Sequence, residues 1–369
     1  DLHSFPTRRS SDLLLTILGI NVISSASDDP SLVQKQIIGM GMGIVLMIIF
    51  ALIRYEFIAR YYWILYFISL IALILVLTPL GRSGGGAQRW IVVFGIYIQP
   101  SELAKLLLLF FFSALLAKNW QNLNSWKFLV LVLILIVIPI ALIMREPDLS
   151  TSIVTLLMIC AIIFTSPLQS RYLKRIALIV IPLIAAVLAL IIVLPADRNI
   201  VSQYQYYRLV GFYNADNEIA ERIRYQQENS VLAIAGGSLT GKGLNNNSIT
   251  SVKNAEFISE PQTDFIFTII GEELGFFGSL VTIVLLALIV IECFLIGVRA
   301  RENIGKCIAF GYGTLIGIQS FINLGVVTMI IPNTGLTLPF VSYGLSSLIT
   351  SFLGIGLVLN IGLKKKLTI

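Results

Sequence analysis

Long apolar runs separated by short polar turns dominate the chain. Ten recur, at 13–27, 34–53, 61–80, 101–117, 126–144, 149–166, 174–194, 272–298, 306–327 and 342–363. Most approach the roughly 20 residues that a helix needs to cross about 30 Å of hydrocarbon, and the first is short. Alternating segments of about ten residues, the mark of a membrane barrel, are absent. The pattern predicts an all-α polytopic membrane protein of about ten transmembrane helices, with one large loop, 195–263, between helices 7 and 8. Two stretches break it. IIPNTGLTLPFV (330–341) is apolar but holds Pro332, Gly335 and Pro339, so it predicts a broken or re-entrant segment buried in protein. IVVFGIYI (91–98) is too short to span and is expected at the membrane interface. Residues 1–12, DLHSFPTRRSSD, are polar and basic, unlike all that follows. They read as a non-native or disordered tail, leaving 13–369 as a single transmembrane domain.

Composition agrees. Of 369 residues, 57% are hydrophobic and 12% charged, against about 25% charged in soluble domains. Charge placement sets the orientation. With the N-terminus inside, the inner loops hold thirteen basic residues: Arg54, Arg60, Lys118, Lys127, Arg171, Lys174, Arg175, Arg299, Arg301, Lys306 and Lys364 to Lys366. The short outer loops hold four, Lys35, Arg82, Arg89 and Arg145. Both termini are then cytoplasmic and the large loop external. The net charge of +6 lies in these short loops and does not point to nucleic acid. The three cysteines sit in or beside apolar runs, and the one histidine, His3, lies in the tail. Disulfide, zinc and histidine-based chemistry are disfavoured, so a carboxylate, lysine or tyrosine must move any proton.

Charges are costly near a span, so each one there is informative. In GRSGGGAQRWIVVFGIYIQPSELAK (81–105), Pro100 opens a helix, and Glu102 and Lys105 share one face. They form either a helix-start ion pair or, with Arg89, a cradle for an anionic headgroup. In REPDLSTS (145–152), Asp148 is placed to cap the sixth helix. The external loop carries YQYYRLVGFYN (204–214), with Arg208, and a stretch, 218–234, predicted as an amphipathic helix on the outer leaflet. In EPQTDFIFTIIGEELG (260–275), Asp264 stands at the loop-to-span entry against Phe265 and Phe267, where desolvation makes a carboxylate a better base.

Six stretches, GAQRWI (86–91), QPSELAK (99–105), EPDLSTSIV (146–154), AIAGGSLTGKGL (233–244), TDFIFTIIGEELG (263–275) and NTGLTLPFVSYGLSSLI (333–349), resemble the SEDS family (shape, elongation, division and sporulation) in family order. The resemblance implies a ten-helix peptidoglycan glycosyltransferase of the bacterial plasma membrane. Such an enzyme polymerises lipid II, a disaccharide-pentapeptide on undecaprenyl pyrophosphate, at the outer face, with a class B penicillin-binding protein as partner. It places the family's essential aspartate on Asp264, and the family's other polar positions on Arg89, Glu102 and Lys105. The chain departs from the family at Leu345, at Asn245 to Asn247 and at Pro261-Gln262, none of which removes the aspartate.

The reaction joins a sugar hydroxyl to an anomeric carbon bearing a lipid pyrophosphate, in one inverting displacement. It needs a base, for which Asp264 is the candidate, and cations for the leaving group. Arg89 and Lys105 are candidates for the pyrophosphate, Arg208 for a loop contact, and Glu102 for orienting Lys105. A divalent cation such as Mg2+ would suit the pyrophosphate, although no metal-ligand motif is visible. The competing readings are a flippase or transporter of lipid-linked precursors and a non-catalytic scaffold.

Overall fold

The computed structural model describes residues 10–27, 29–84, 87–93, 95–169, 172, 178, 194, 203–213, 217–245, 251 and 257–364. The predicted seventh span, 174–194, lies outside the described residues save for two single positions. The other nine apolar runs form helices. They are α1 (Ser10–Ala26), α2 (Pro30–Leu52), the pair α3 (Tyr55–Arg60) and α4 (Tyr62–Val76), α5 (Pro100–Lys118), α6 (Trp126–Arg145) and α7 (Leu149–Thr165). After α8 (Gln203–Val210) and α9 (Glu218–Gly236) of the large loop come α10 (Ile266–Arg299), α11 (Asn303–Val327) and α12 (Leu345–Lys364). Six of them, among the described residues, are long and apolar enough to cross a membrane, and α1, α4 and α7 are shorter apolar helices.

Local chemistry sets the helix starts. Asp29 accepts from the Ser31 N–H at 2.9 Å ahead of α2, Asp148 from the Thr151 N–H at 3.0 Å ahead of α7, and Asn217 from the Ala220 N–H at 2.9 Å ahead of α9. Each satisfies one of the orphan donors of a first turn. Pro100 opens α5, where its missing N–H costs nothing.

The core centres on α5, which packs on α4, α7, α11 and α12. In its most apolar window 89% of residues are buried, against 17% in α2, whose outer face is left for lipid. α2 lies along α12. The approach is so close that a Cβ on Gly356 would sit 2.5 Å from the Met47 carbonyl oxygen. Small residues at such contacts let packing replace the hydrophobic effect, which lipid does not supply.

Three expectations are corrected, and one stretch takes a form that the sequence reading did not specify. Ser10, Ser11 and Asp12, read as tail, belong to α1; all three are residues that a first helical turn accommodates. The eighth span begins at Ile266, not 272, because Ile269 and Ile270 supply a buried apolar face before the glutamates. The stretch at 81–98 is a three-stranded antiparallel sheet, β1 (Gly81–Gly84), β2 (Ala87–Val93) and β3 (Ile96–Ile98). Val93 pairs with Ile96 across a two-residue turn whose Gly95 has φ 79°. Lastly, α9 docks on protein rather than presenting its buried face to the leaflet. Its Gln227 Nε2 donates to the Val326 and Ile331 carbonyls at 2.8 and 3.0 Å, and its Ser230 hydroxyl to that of Val327 at 2.8 Å. Those bonds satisfy carbonyls freed where α11 ends.

The broken segment is as expected. Residues 328–344 carry no helix, and Gly335 has φ 72°.

Candidate active site

Alternation of the helices brings strand β2, the turn 146–148, segment 328–344 and the start of α10 to one end of the bundle. Arg89, on the central strand, clasps the turn. Its Nε donates to the Glu146 carbonyl at 3.3 Å and its Nη2 to the Pro147 carbonyl, while Nη1 lies 3.9 Å from Asp148 Oδ2. Asp148 therefore does two jobs, capping α7 and facing Arg89, and it accepts a further bond from Gln99 Nε2 at 3.3 Å. The Ser150 hydroxyl donates to the Thr334 carbonyl at 2.6 Å and ties the turn to the broken segment. Glu146 is fully buried, and neither carboxyl oxygen has a hydrogen-bond partner. Burial first, and Asp148 second, push it up to about 9 against the pull of Arg89, so it is a neutral acid at pH 7.

Asp264 sits in the turn that leads into α10, and its backbone is pinned. The Gln262 carbonyl accepts from the Tyr343 N–H at 2.9 Å, the Thr263 carbonyl from the Ser342 hydroxyl at 2.7 Å, and the Asp264 carbonyl from Asn323 Nδ2 at 2.8 Å. Its side chain meets Arg208 of α8 across Gly335. A Cβ on that glycine would lie 2.5 Å from Arg208 Nη1 and 3.1 Å from Asp264 Oδ2. No other residue type fits both the positive φ and the space. Burial raises the Asp264 pKa above the ordinary carboxylate range, while Arg208 and then Arg89 pull it back. Arg89, Pro147, Ser150, Gln205, Arg208 and Asn333 line a narrow, open cleft. Asp264 stands beside it, against Gly335 and Arg208.

Of the residues singled out in the sequence, Arg89, Arg208 and Asp264 thus gather at one place. Glu102 and Lys105 do not join them. They line a separate small recess with Tyr312, Gln319, Thr350 and Ser351. Lys105 is 2% exposed, with its ammonium 2.8 Å from Glu102 Oε1 and 3.0 Å from Gln319 Oε1. The reason is local, since residues three apart share a helix face and α5 is the most enclosed helix, so the charge is neutralised where it stands. Gln319 passes the connection on, donating to the Thr337 carbonyl at 3.0 Å.

Gln319 and Asn323 escaped the sequence reading. Their signal was available: two amides four residues apart in an apolar helix, the spacing of one helix face. Among the described residues no three His, Cys, Asp or Glu side chains come together as a metal site.

Comparison with known proteins follows the same lines. Residues 13–367 match the FtsW/RodA/SpoVE family of cell cycle proteins. The probable peptidoglycan glycosyltransferase FtsW of Marinobacter nauticus is 32% identical over 380 residues, spanning 99% of this chain and 91% of the relative. That of Bacillus subtilis is 32% identical over 335 residues, spanning 89% and 81%. Among solved structures, a chain of a peptidoglycan synthase complex that coordinates polymerization and crosslinking superposes with a TM-score of 0.77 at 26% identity, covering 97% of each chain. The rod shape determining protein RodA of Thermus thermophilus gives 0.69 at 25% identity, covering 97% of this chain and 96% of its own. The chain is a multi-pass membrane protein that belongs to the FtsW/RodA/SpoVE family.

Proposed function

We infer that this protein is a peptidoglycan glycosyltransferase that polymerises lipid II at the outer face of the plasma membrane. The observation that carries the reading is the meeting of Asp264 and Arg208 over Gly335, beside the cleft that Arg89 lines. A partly desolvated carboxylate and two guanidiniums are what an inverting sugar transfer to a pyrophosphate-bearing carbon requires.

In this reading the Asp264 carboxylate takes the proton of the acceptor sugar hydroxyl as its oxygen attacks the anomeric carbon. The carbon–oxygen bond to the lipid pyrophosphate breaks on the opposite face, so the configuration inverts. Arg89 and Arg208 stabilise the departing negative charge, which grows in the transition state. Burial raises the base's pKa, which strengthens it as a proton acceptor, and Arg208 and then Arg89 pull in the other direction, toward the ionised form. A divalent ion would share the pyrophosphate charge, and no step here depends on one. Glu102 orients Lys105, and the pair supports the site through Gln319 and Thr337 instead of touching the leaving group. The termini face the cytoplasm, the large loop 195–263 is external, and a class B penicillin-binding protein is the partner that cross-links the strands.

The test is polymer formation from labelled lipid II by the purified protein with its partner. Asp264→Asn should insert and fold as the parent does and make no glycan. Near-parental polymerisation by that variant would sink the assignment. A flippase or a scaffold would make no polymer even as the parent.

A further inference from the structure

The turn that carries the proton-accepting carboxylate is held at its backbone by a side chain with no role in the chemistry so far. Asn323 lies in the apolar helix α11 and is 1% exposed. Its Nδ2 donates to the Asp264 carbonyl at 2.8 Å and to the Leu336 carbonyl at 2.6 Å. Two carbonyl acceptors fix which way the amide points, since only its NH2 end can serve both. Its Oδ1 has no partner. Both of its hydrogen bonds thus run to the two segments that meet at the site. One is the turn bearing Asp264. The other is the residue next to Gly335, where Asp264 and Arg208 meet. A polar side chain inside a membrane helix is costly, and such residues mark function or interhelical pairing.

We propose that Asn323 is a positioning residue of the transfer reaction, setting the Asp264 carboxylate at the distance from Arg208 and the acceptor hydroxyl that proton removal needs. The inference rests on the reading of Asp264 as the base. Asn323 touches neither substrate nor leaving group. It acts by locking the Asp264 turn to the broken segment through one amide. Gln319, one turn earlier, makes a comparable bond to the Thr337 carbonyl but none to the Asp264 turn. Two neighbouring amides therefore differ in their link to the base, and only the first should govern the chemical step.

The experiment measures kcat and KM for lipid II, with the thermal unfolding midpoint in detergent, for Asn323→Leu in the complex with the partner synthase. Leu keeps the branched shape and the number of heavy atoms and removes both donors. The proposal expects kcat to fall about 10- to 100-fold, the scale of a misplaced catalytic group. KM should stay within about twofold, and the midpoint should move far less than activity does. Should Asn323→Leu fail to insert, Asn323→Ser carries the same expectation, since its hydroxyl cannot serve both carbonyls. A kcat within about threefold of the parent in a folded variant overturns the proposal. So does loss of folding in both variants, or a fall in activity that only tracks the loss of folded protein. Asp264→Asn separates the two levels. If it still polymerises, the base reading fails; if it is dead while Asn323→Leu is unimpaired, only the positioning role fails.

Discussion

The charge balance around one carboxylate governs how the site should respond to pH. As the proposed base, Asp264 must be ionised to accept a proton. Its burial favours the neutral form, and Arg208 is the largest influence in the other direction. Removing that guanidinium in Arg208→Ala leaves burial, Glu260 and Asp148 with less opposition, so the pKa rises further. Activity is lost as pH falls through that pKa. The acid limb of the kcat/KM profile for Arg208→Ala should therefore lie at higher pH than the parent's, and activity at neutral pH should fall as well. An acid limb that stays in place would show that Arg208 does not face the base. At this scale the sequence carried much of the site. An aspartate at a span entry, beside aromatics, and arginines at loop edges were visible as costly charges. Lys105 looked equivalent to Arg89 because spacing along the chain says nothing about which partner a long side chain finds. Its carboxylate partner lay three residues away, and Gln319 came from a helix two hundred positions distant.

The half-helix that follows Asp264 is a separate element. α10 is broken at Gly275, with φ 64° and ψ −159°, a combination that is essentially glycine-only. The break frees backbone groups that the large loop satisfies. The Glu272 carbonyl accepts from the Lys242 N–H at 2.9 Å and the Glu273 carbonyl from the Gly243 N–H at 3.0 Å; the Phe276 and Phe277 N–H groups donate to the Ser238 and Leu239 carbonyls at 2.9 and 3.2 Å. Lys242 adds an ion pair to Glu272 at 2.7 Å. The GGSLTGKG stretch is therefore spliced into the helix. Gly275→Ala should strain the backbone and drive a Cβ to 2.3 Å from the Gly241 nitrogen, undocking the loop. The expected outcome is a lower unfolding midpoint, with faster proteolysis within 237–243 than in the parent. Unchanged cleavage would mean that the loop is held by other contacts. Helix existence was readable from apolar runs, but this break was not, because Gly275, the second of two glycines in IIGEELG, carries no periodic signal. The small sheet was missed for the opposite reason. IVVFGIYI holds a hairpin signal in its β-branched pairs flanking Phe94-Gly95, which its length as an apolar run obscured.

Across the whole molecule, apolar residues serve two solvents, and only burial separates them. Ile48 of α2 is 51% exposed and Phe111 of α5 is fully buried, though both lie in apolar runs that look alike. Phe111 anchors an aromatic cluster at the centre of the bundle, with ring centroids 4.4 Å from Tyr66, 5.0 Å from Phe112 and 5.2 Å from Trp63. An outward side chain trades lipid for lipid when shortened, so its loss costs little. An inward one leaves a cavity and forfeits its packing, which is the main source of helix association where hydrocarbon surrounds the protein. In water-soluble proteins Phe→Ala in a core costs about 3–5 kcal/mol. In a bilayer the transfer part of that cost shrinks, because the unfolded helices also rest in an apolar phase, and the packing part remains. Phe111→Ala should therefore lower the unfolding midpoint in detergent by several degrees while Ile48→Ala leaves it nearly unchanged, as thermal scans of the two variants would show. Equal shifts would mean that α5 does not occupy the centre. The support of the site would then be lost, because Glu102 and Lys105 of α5 reach the broken segment only through Gln319 of α11.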